Sequence, residues 1–434
     1  MNESQALALL DKALKTAKAD DVVVNLDGGT LASTRLADNV ITQSIETSRA
    51  TLMATCAYGR SHGTATTEDL SDRAISAAVK AAQAIAKSMP PDPEYMPPVE
   101  AAETARYTKA DGYFEPTVRF APDARATQLV AAAKAVAKKG YRLSGAYASG
   151  DRFTAVANSA GLKAYHRSTH AALHLTALGK NGSGWAEKMS GNTDDIDVAA
   201  VAKEALRIAK LAQDPADPEA GRYALIMPPA AVAEMVAFFL WEGFDAKAAD
   251  ENRNFLRGKQ GAKICPETIT IRSNPAEPDC LGRPFQDDGL VAPTIKWIDK
   301  GVLKSLMYSR YWAKKQGKEA TGWPPNVIMD GDTTSLDEMI ASTERGLLVT
   351  HFWYIRTVDP MKPLLTGMTR DGLFRIENGR IAGALKQMRF NENPLDMLSR
   401  VEAMGPPQRT GEYMPMLMPA LKVRDFNFTS TTRF

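Results

Sequence analysis

An acidic, proline-bearing run near the middle of the chain, Asp-Pro-Ala-Asp-Pro-Glu-Ala-Gly at residues 214–221, separates two kinds of patterning. Proline removes a backbone donor and cannot continue a helix, so two prolines in one short acidic run mark a linker. Helix and strand signals alternate before it, and short strands dominate after it. At 434 residues the chain exceeds what one hydrophobic core usually supports. The expectation is an α+β protein of two domains: an N-terminal mixed helix/antiparallel-sheet domain over 1–213, a linker over 214–221, and a strand-rich C-terminal domain over 222–434.

In the first half, residues 6–17 place Leu7, Leu10 and Leu14 on one helical face. Residues 21–26 and 31–57 are rich in β-branched residues and read as strands. An alanine-rich helix is expected over 67–87, capped by Thr67 or Ser71, and it gives way to a proline-rich loop at 90–98. A second helix, 123–139, stops at Gly140. Strands follow over 143–178, with turns expected at Ser149-Gly150-Asp151 and at 180–184. A third alanine-rich helix covers 197–213. Its acidic, proline-containing exit resembles that of the first, which admits an internal duplication. In the second half, 230–241 reads as a buried helix. Asp288-Gly289, Lys300-Gly301, Asp371-Gly372 and Asn378-Gly379 mark turns, and Ser335-Leu336-Asp337-Glu338 is a capping box.

With 53 basic against 51 acidic residues the net charge is +2, which gives no basic surface for nucleic acid or an anionic membrane. No apolar run approaches the roughly 18–20 residues that span a bilayer. The first 21 residues carry both charge signs and lack the pattern of a signal peptide. Cys56, Cys265 and Cys280 are sparse and odd in number, as in a reducing compartment, so a cytoplasmic location is expected.

His166, His170 and His174 recur every four residues. On a helix they would form a metal-binding stripe. Their neighbours are β-formers, however, and residues four apart on a strand lie about 13 Å apart, too far to share one ion. They are expected to form a solvent-facing or interface stripe. His62 and His351 are isolated, and the cysteines lack CxxC spacing. No GxSxG elbow or Walker loop occurs, and Asp287-Asp288-Gly289 reads as a turn. Read alone, these residues name no reaction.

Several short motifs, in order, resemble the TldD/PmbA (TldE) metallopeptidase family. They include Phe285-Gln286-Asp287-Asp288-Gly289, Ile298-Asp299-Lys300-Gly301-Val302-Leu303 and Thr321-Gly322. Tyr354-Ile355-Arg356, Thr366 to Phe374, Ile376-Glu377-Asn378-Gly379 and Met388-Arg389-Phe390-Asn391 continue the series. Arg35, Asn39, Ile41 and Gln43, with Asn158-Ser159-Ala160-Gly161, extend it into the first half. The resemblance implies a zinc peptidase motif, HExxxH, with a cysteine ligand near the C-terminus. Here the matching stretch sets Trp241 and Ala246 at the two histidine positions and Glu242 at the glutamate, and no cysteine follows Cys280. Indole and methyl donate nothing to zinc, which needs three protein donors and an open position. Without the ion, water keeps a pKa near 15.7 and no hydroxide forms. Glu242 is then a structural acid.

The pattern resembles the PmbA/TldE branch. It implies no catalytic residue, no metal and no cofactor in this chain, with zinc in a TldD-like partner that carries HExxxH. The two would form a heterodimer cutting an extended or unfolded peptide, which this chain holds by strand addition. The alternatives are a stand-alone homodimeric binding or scaffold protein, and a self-sufficient metallopeptidase with a non-standard site.

Overall fold

The computed structural model describes residues 1–411 and 414–432. Residues 412–413 and 433–434, within the C-terminal range expected above, lie outside the described residues. Two long strands, β1 (Asp21–Ala37) and β4 (Arg142–Asn158), pair antiparallel at the centre of the N-terminal sheet. Around them stand β2 (Val40–Tyr58), β3 (Ser61–Thr67), β5 (Lys163–Leu178) and β6 (Ser183–Ser190), in the order β3-β2-β1-β4-β5-β6. The helices are α1 (Glu3–Thr16), α2 (Asp72–Ser88), the single turn α3 (Glu115–Val118), α4 (Pro122–Ala137) and α5 (Val198–Leu211).

Strand order and element order repeat: helix, three antiparallel strands, helix, first as α1-β1-β2-β3-α2 and again as α4-β4-β5-β6-α5. The duplication extends to side chains. A Cβ on Gly63 of β3 would strike the Ala82 carbonyl, the Ala86 nitrogen and Ile85. A Cβ on Gly184 of β6 would strike the Ala205 carbonyl, the Ala209 nitrogen and Ile208. In both repeats an alanine-rich helix lies flush on a glycine of the outer strand, which explains the composition of both helices.

The helices share one face of the sheet. Leu10, Val24, Leu52 and Val79 pack in one cluster, and Leu129, Tyr147, Leu173 and Ala205 in the next. The alternation on β5 sends Leu173, Leu175 and Ala177 to the helices and His166, His170 and His174 to the opposite face, which is turned toward the C-terminal half. There the Asn25 side chain donates to the Asp287 carbonyl, and the Thr410 hydroxyl donates to Glu187.

One expected turn is corrected. Ser149-Gly150-Asp151 lies inside β4, not at a turn: the Gly150 Cα sits so close to β1 that a Cβ would lie 1.8 Å from the Thr30 carbonyl. The hairpin that the sequence does make is Asp38-Asn39, with φ of 48° and 68°, joining β1 to β2. Lys300-Gly301 and Asn378-Gly379 close hairpins with positive φ at both residues. Asp371-Gly372 instead joins two strands that do not pair.

The C-terminal half opens with β7 (Gly221–Met227), α6 (Pro229–Gly243) and α7 (Ala246–Asp250). A six-stranded sheet holds β8 (Ile271–Ser273), β9 (Ile295–Asp299), β10 (Val302–Leu303) and β11 (Val327–Met329). The larger sheet holds β12 (Arg345–Val349), β13 (Phe352–Asp359), β14 (Leu364–Thr369), β15 (Leu373–Glu377), β16 (Arg380–Ala384) and β17 (Met388–Glu392). It also holds β18 (Val401–Met404), whereas β19 (Gln408–Thr410) and β20 (Met416–Met418) return to the smaller sheet, and β21 (Leu421–Thr431) closes the larger one. The larger sheet runs β13-β14-β17-β21-β7-β12-β15-β16, with β18 beside β21. α6 has almost no polar face. Val232, Met235, Val236 and Phe239 bury against both sheets, through Trp297, Val327, Val349 and Phe390 among others. Ser335 caps its short helix by the expected box, and all three cysteines are buried and unpaired.

Phe239 is 1% exposed and packs its ring on Phe244 and Phe255, whereas Trp241, two residues on, is 72% exposed. Phe239→Ala is expected to destabilise the protein by about 3–5 kcal/mol in chemical denaturation. Trp241→Ala should change it by no more than about 0.5 kcal/mol.

Candidate functional site

The stretch expected to replace a zinc motif is broken by the end of α6. Trp241 projects from the last turn into solvent, Gly243 ends the helix, and Asp245 caps α7 by accepting from the Lys247 and Ala248 amides. Ala246, the first residue of α7, is fully buried. One position faces water and the other the core, so side chains at the two would not converge on one ion. The Glu242 carboxylate accepts from Thr357 Oγ1 of β13 at 2.7 Å and ties the helix end to the sheet. These residues do not fit a zinc ion. Among the described residues, no three His, Cys, Asp or Glu side chains are grouped to hold a metal.

The three-histidine stripe stands on β5 as expected, one residue in every second strand repeat. Burial pushes His166 down to about 4, helped by the Arg283 guanidinium and opposed by Asp111. Burial also lowers His170. His174 Nδ1 lies 4.0 Å from Glu187 Oε2 on β6. The stripe lines the face between the halves, the interface placement rather than the solvent one. Asp287 and Asp288 form the expected turn, Gln286 N donating to the Leu290 carbonyl at 2.7 Å, and each pairs with an arginine.

His351 is the correction. The sequence leaves it isolated, yet the fold makes it the centre of a cluster drawn from four segments. Its Nε2 lies 3.1 Å from Glu234 Oε1 on α6, and its Nδ1 3.8 Å from Asp371 Oδ2, an ion-pair rather than a hydrogen-bond distance. Ser183 Oγ of β6 donates to Asp371 Oδ1 at 2.6 Å. The imidazole stacks on Trp185 of β6 with centroids 4.2 Å apart and planes 10° apart. Glu234 Oε2 also accepts from the Phe352 amide at 2.8 Å. Burial works against charge on His351, but the two carboxylates outweigh it and raise the imidazole to about 9. Burial raises Asp371, but His351 and Ser183 together hold it below its ordinary value. A sequence scan could find these residues only by knowing that β6 crosses the C-terminal half here.

Beside the cluster a groove of about 1490 Å³ opens between the halves. Asn181, Gly182, Asp214 and Asp217 line one wall, and Trp353, Tyr354, Arg370 and Arg389 the other. Arg370 lies 4.4 Å over the Trp353 ring and Arg356 4.3 Å over Tyr354. Both aromatics are about half exposed, at 47% and 58%. Tyr354 has φ +56°, a conformation that a bulky residue avoids, at a bulge where β13 shifts register between Trp353 and Arg356. β13 is the edge strand of its sheet.

Because His351 titrates near 9 in the fold against 6.5 ordinarily, its charge contributes stability fully below about pH 6.5, and this is lost as pH rises through 9. The protein should lose on the order of 2–3 kcal/mol of stability between pH 6.5 and 9.5. In His351→Gln that pH dependence should flatten, as urea midpoints taken across the range would report.

A family model described as the PmbA/TldA metallopeptidase central domain matches residues 116–213, and its C-terminal domain counterpart matches 220–430. The crystal structure of TldE from Thermococcus kodakarensis superposes with a TM-score of 0.89, covering 98% of this chain and 99% of that one at 20% identity. A metalloprotease of Methanothermobacter thermautotrophicus is 26% identical over 295 residues, 61% of this chain and 62% of that protein. The metalloprotease PmbA of Escherichia coli O157:H7 is 25% identical over 178 residues, 39% and 38% of the two chains. The matched stretches span less than two thirds of these curated relatives. With residues 116–213 and 220–430 matched, more than half of its length, the chain belongs to the PmbA/TldD metallopeptidase family.

Proposed function

We propose that this chain is the non-catalytic, peptide-holding subunit of a TldD/TldE-type zinc peptidase, working in the cytoplasm with a TldD-like partner that supplies the HExxxH zinc site. The groove between the halves is the observation that carries this reading. It combines exposed aromatics on one wall with an edge strand, and no three His, Cys, Asp or Glu side chains among the described residues are grouped there to hold a metal. An extended peptide laid along β13 would pair its main chain with the strand's free edge, and Trp353 and Tyr354 would flank its side chains. The water-activating ion would come from the partner, so this chain's part is to hold and orient the substrate. The near balance of charge fits a peptide ligand better than a nucleic acid.

A surface for the partner is also available. β3 pairs β2 only from Leu52 onward, so β2 from Val40 to Thr51 presents an open edge, with Val40 and Ile45 exposed.

Peptidase assays on an unfolded peptide should find no turnover with this chain alone, and turnover when the HExxxH-bearing relative is added. Replacing Trp353 and Tyr354 together by alanine should weaken peptide binding by about 1–3 kcal/mol, roughly ten- to a hundredfold in Kd. Cleavage by this chain alone would overturn the proposal. Peptide binding with no activity in any mixture would favour the stand-alone binding protein.

A further inference from the structure

Six charged side chains line the groove between the halves: Asp214, Asp217 and Asp371 against Arg370, Lys386 and Arg389. Four of them balance one another within the fold. Lys386 Nζ lies 2.6 Å from Asp217 Oδ1. Asp371 faces His351, Ser183 and Arg370, whose Nε lies 3.5 Å from Asp371 Oδ2. Asp214, on the linker wall, accepts from Asn181 Nδ2 at 2.9 Å. Arg389 is left over. Its side chain is exposed, and its guanidinium makes no ion pair and no hydrogen bond among the described residues.

Strand register sets its place. Trp353 of β13 stands opposite Met368 of β14, and Met368 stands opposite Arg389 of β17. Residues directly opposed across antiparallel strands send their side chains to the same face. Here that face lines the groove, while Phe352, Leu365 and Phe390 fill the core beneath it. Strands about 4.8 Å apart put Arg389 roughly 10 Å inward from Trp353, with Met368 as the floor between them. Arg370, two residues beyond Met368, holds its guanidinium 4.4 Å over the Trp353 ring.

A peptide side chain or chain end that enters across Trp353 therefore meets an apolar shelf first and an unbalanced guanidinium next. A guanidinium offers two parallel N–H groups that match the two oxygens of a carboxylate. In water such a contact is weak by itself, and the aromatic shelf beside it adds the apolar contact that makes it selective. Asp214 on the opposite wall repels a carboxylate there, so the groove has a direction.

We propose that Arg389 is a specificity-determining residue of the groove. It takes a carboxylate of the bound peptide, from an acidic side chain or the C-terminus, while an adjacent apolar side chain of that peptide rests on Trp353 and Met368. The assignment rests on the peptide-holding reading above and names the class of peptide held.

The test is fluorescence anisotropy of short, unstructured, labelled peptides with the full chain alone. The peptides share one sequence of alanine, serine and a single phenylalanine. The first has glutamate beside the phenylalanine and an amidated C-terminus. The second has glutamine there and a free C-terminus, and the third has glutamine and an amidated C-terminus. The third should bind about fivefold more weakly than the first or the second, and whichever of those binds tighter identifies the source of the carboxylate. Arg389→Gln should bring all of them to the affinity of the third, and Arg389→Lys should keep only part of the preference. The preference should shrink as sodium chloride is raised. Equal affinities in the unmodified chain, or a preference that survives Arg389→Gln, would overturn the assignment and leave the peptide-holding reading standing. No binding of any of the peptides would overturn both.

Discussion

α6 is the constraint on which the C-terminal half depends. A fifteen-residue helix with almost no polar side chain cannot sit on a surface, so two sheets must close over it. The two acids it does carry are placed where it meets the larger sheet. Glu234, one turn from its start, reaches His351 and the Phe352 amide, and Glu242, on its last turn, takes the Thr357 hydroxyl. The helix therefore fixes β13 at both ends, and β13 is the strand that borders the groove. Packing and the groove are set by the same element.

The N-terminal sheet solves a complementary problem. Its doubled helix-strand-strand-strand-helix unit packs its helices on one face and leaves the other for the second half of the chain. Through that free face come the side chains that join the halves: Asn25, Glu187, Ser183 and Trp185. In the stack of Trp185 on His351, the imidazole is flanked by the Glu234 and Asp371 carboxylates.

Much of the fold was legible in the sequence because it rests on local signals. The periodicity of 6–17, the cap at Ser71, the buried run at 230–241 and the Lys-Gly and Asn-Gly hairpins each act over a few residues. Gly150 misled because a glycine that permits close strand approach looks, in one dimension, like a glycine that permits a turn. The length of β1 was missed for the same reason at Gly28-Gly29, which lie within one strand. The site was less legible. His351, Glu234, Asp371 and Ser183 are spread over 189 positions and meet only through tertiary structure. The resemblance pointed to Trp241 and Ala246, yet the helix break sets those two apart. What the sequence did carry was the family itself.

The central claim, that this chain holds peptide while a partner holds the metal, is tested most directly by elemental analysis of zinc on the purified chain and on its complex with the HExxxH-bearing relative. The account predicts zinc in the complex at one ion per pair of chains, with none retained by this chain alone after dialysis. One ion per molecule of this chain alone, resistant to dialysis, would contradict it.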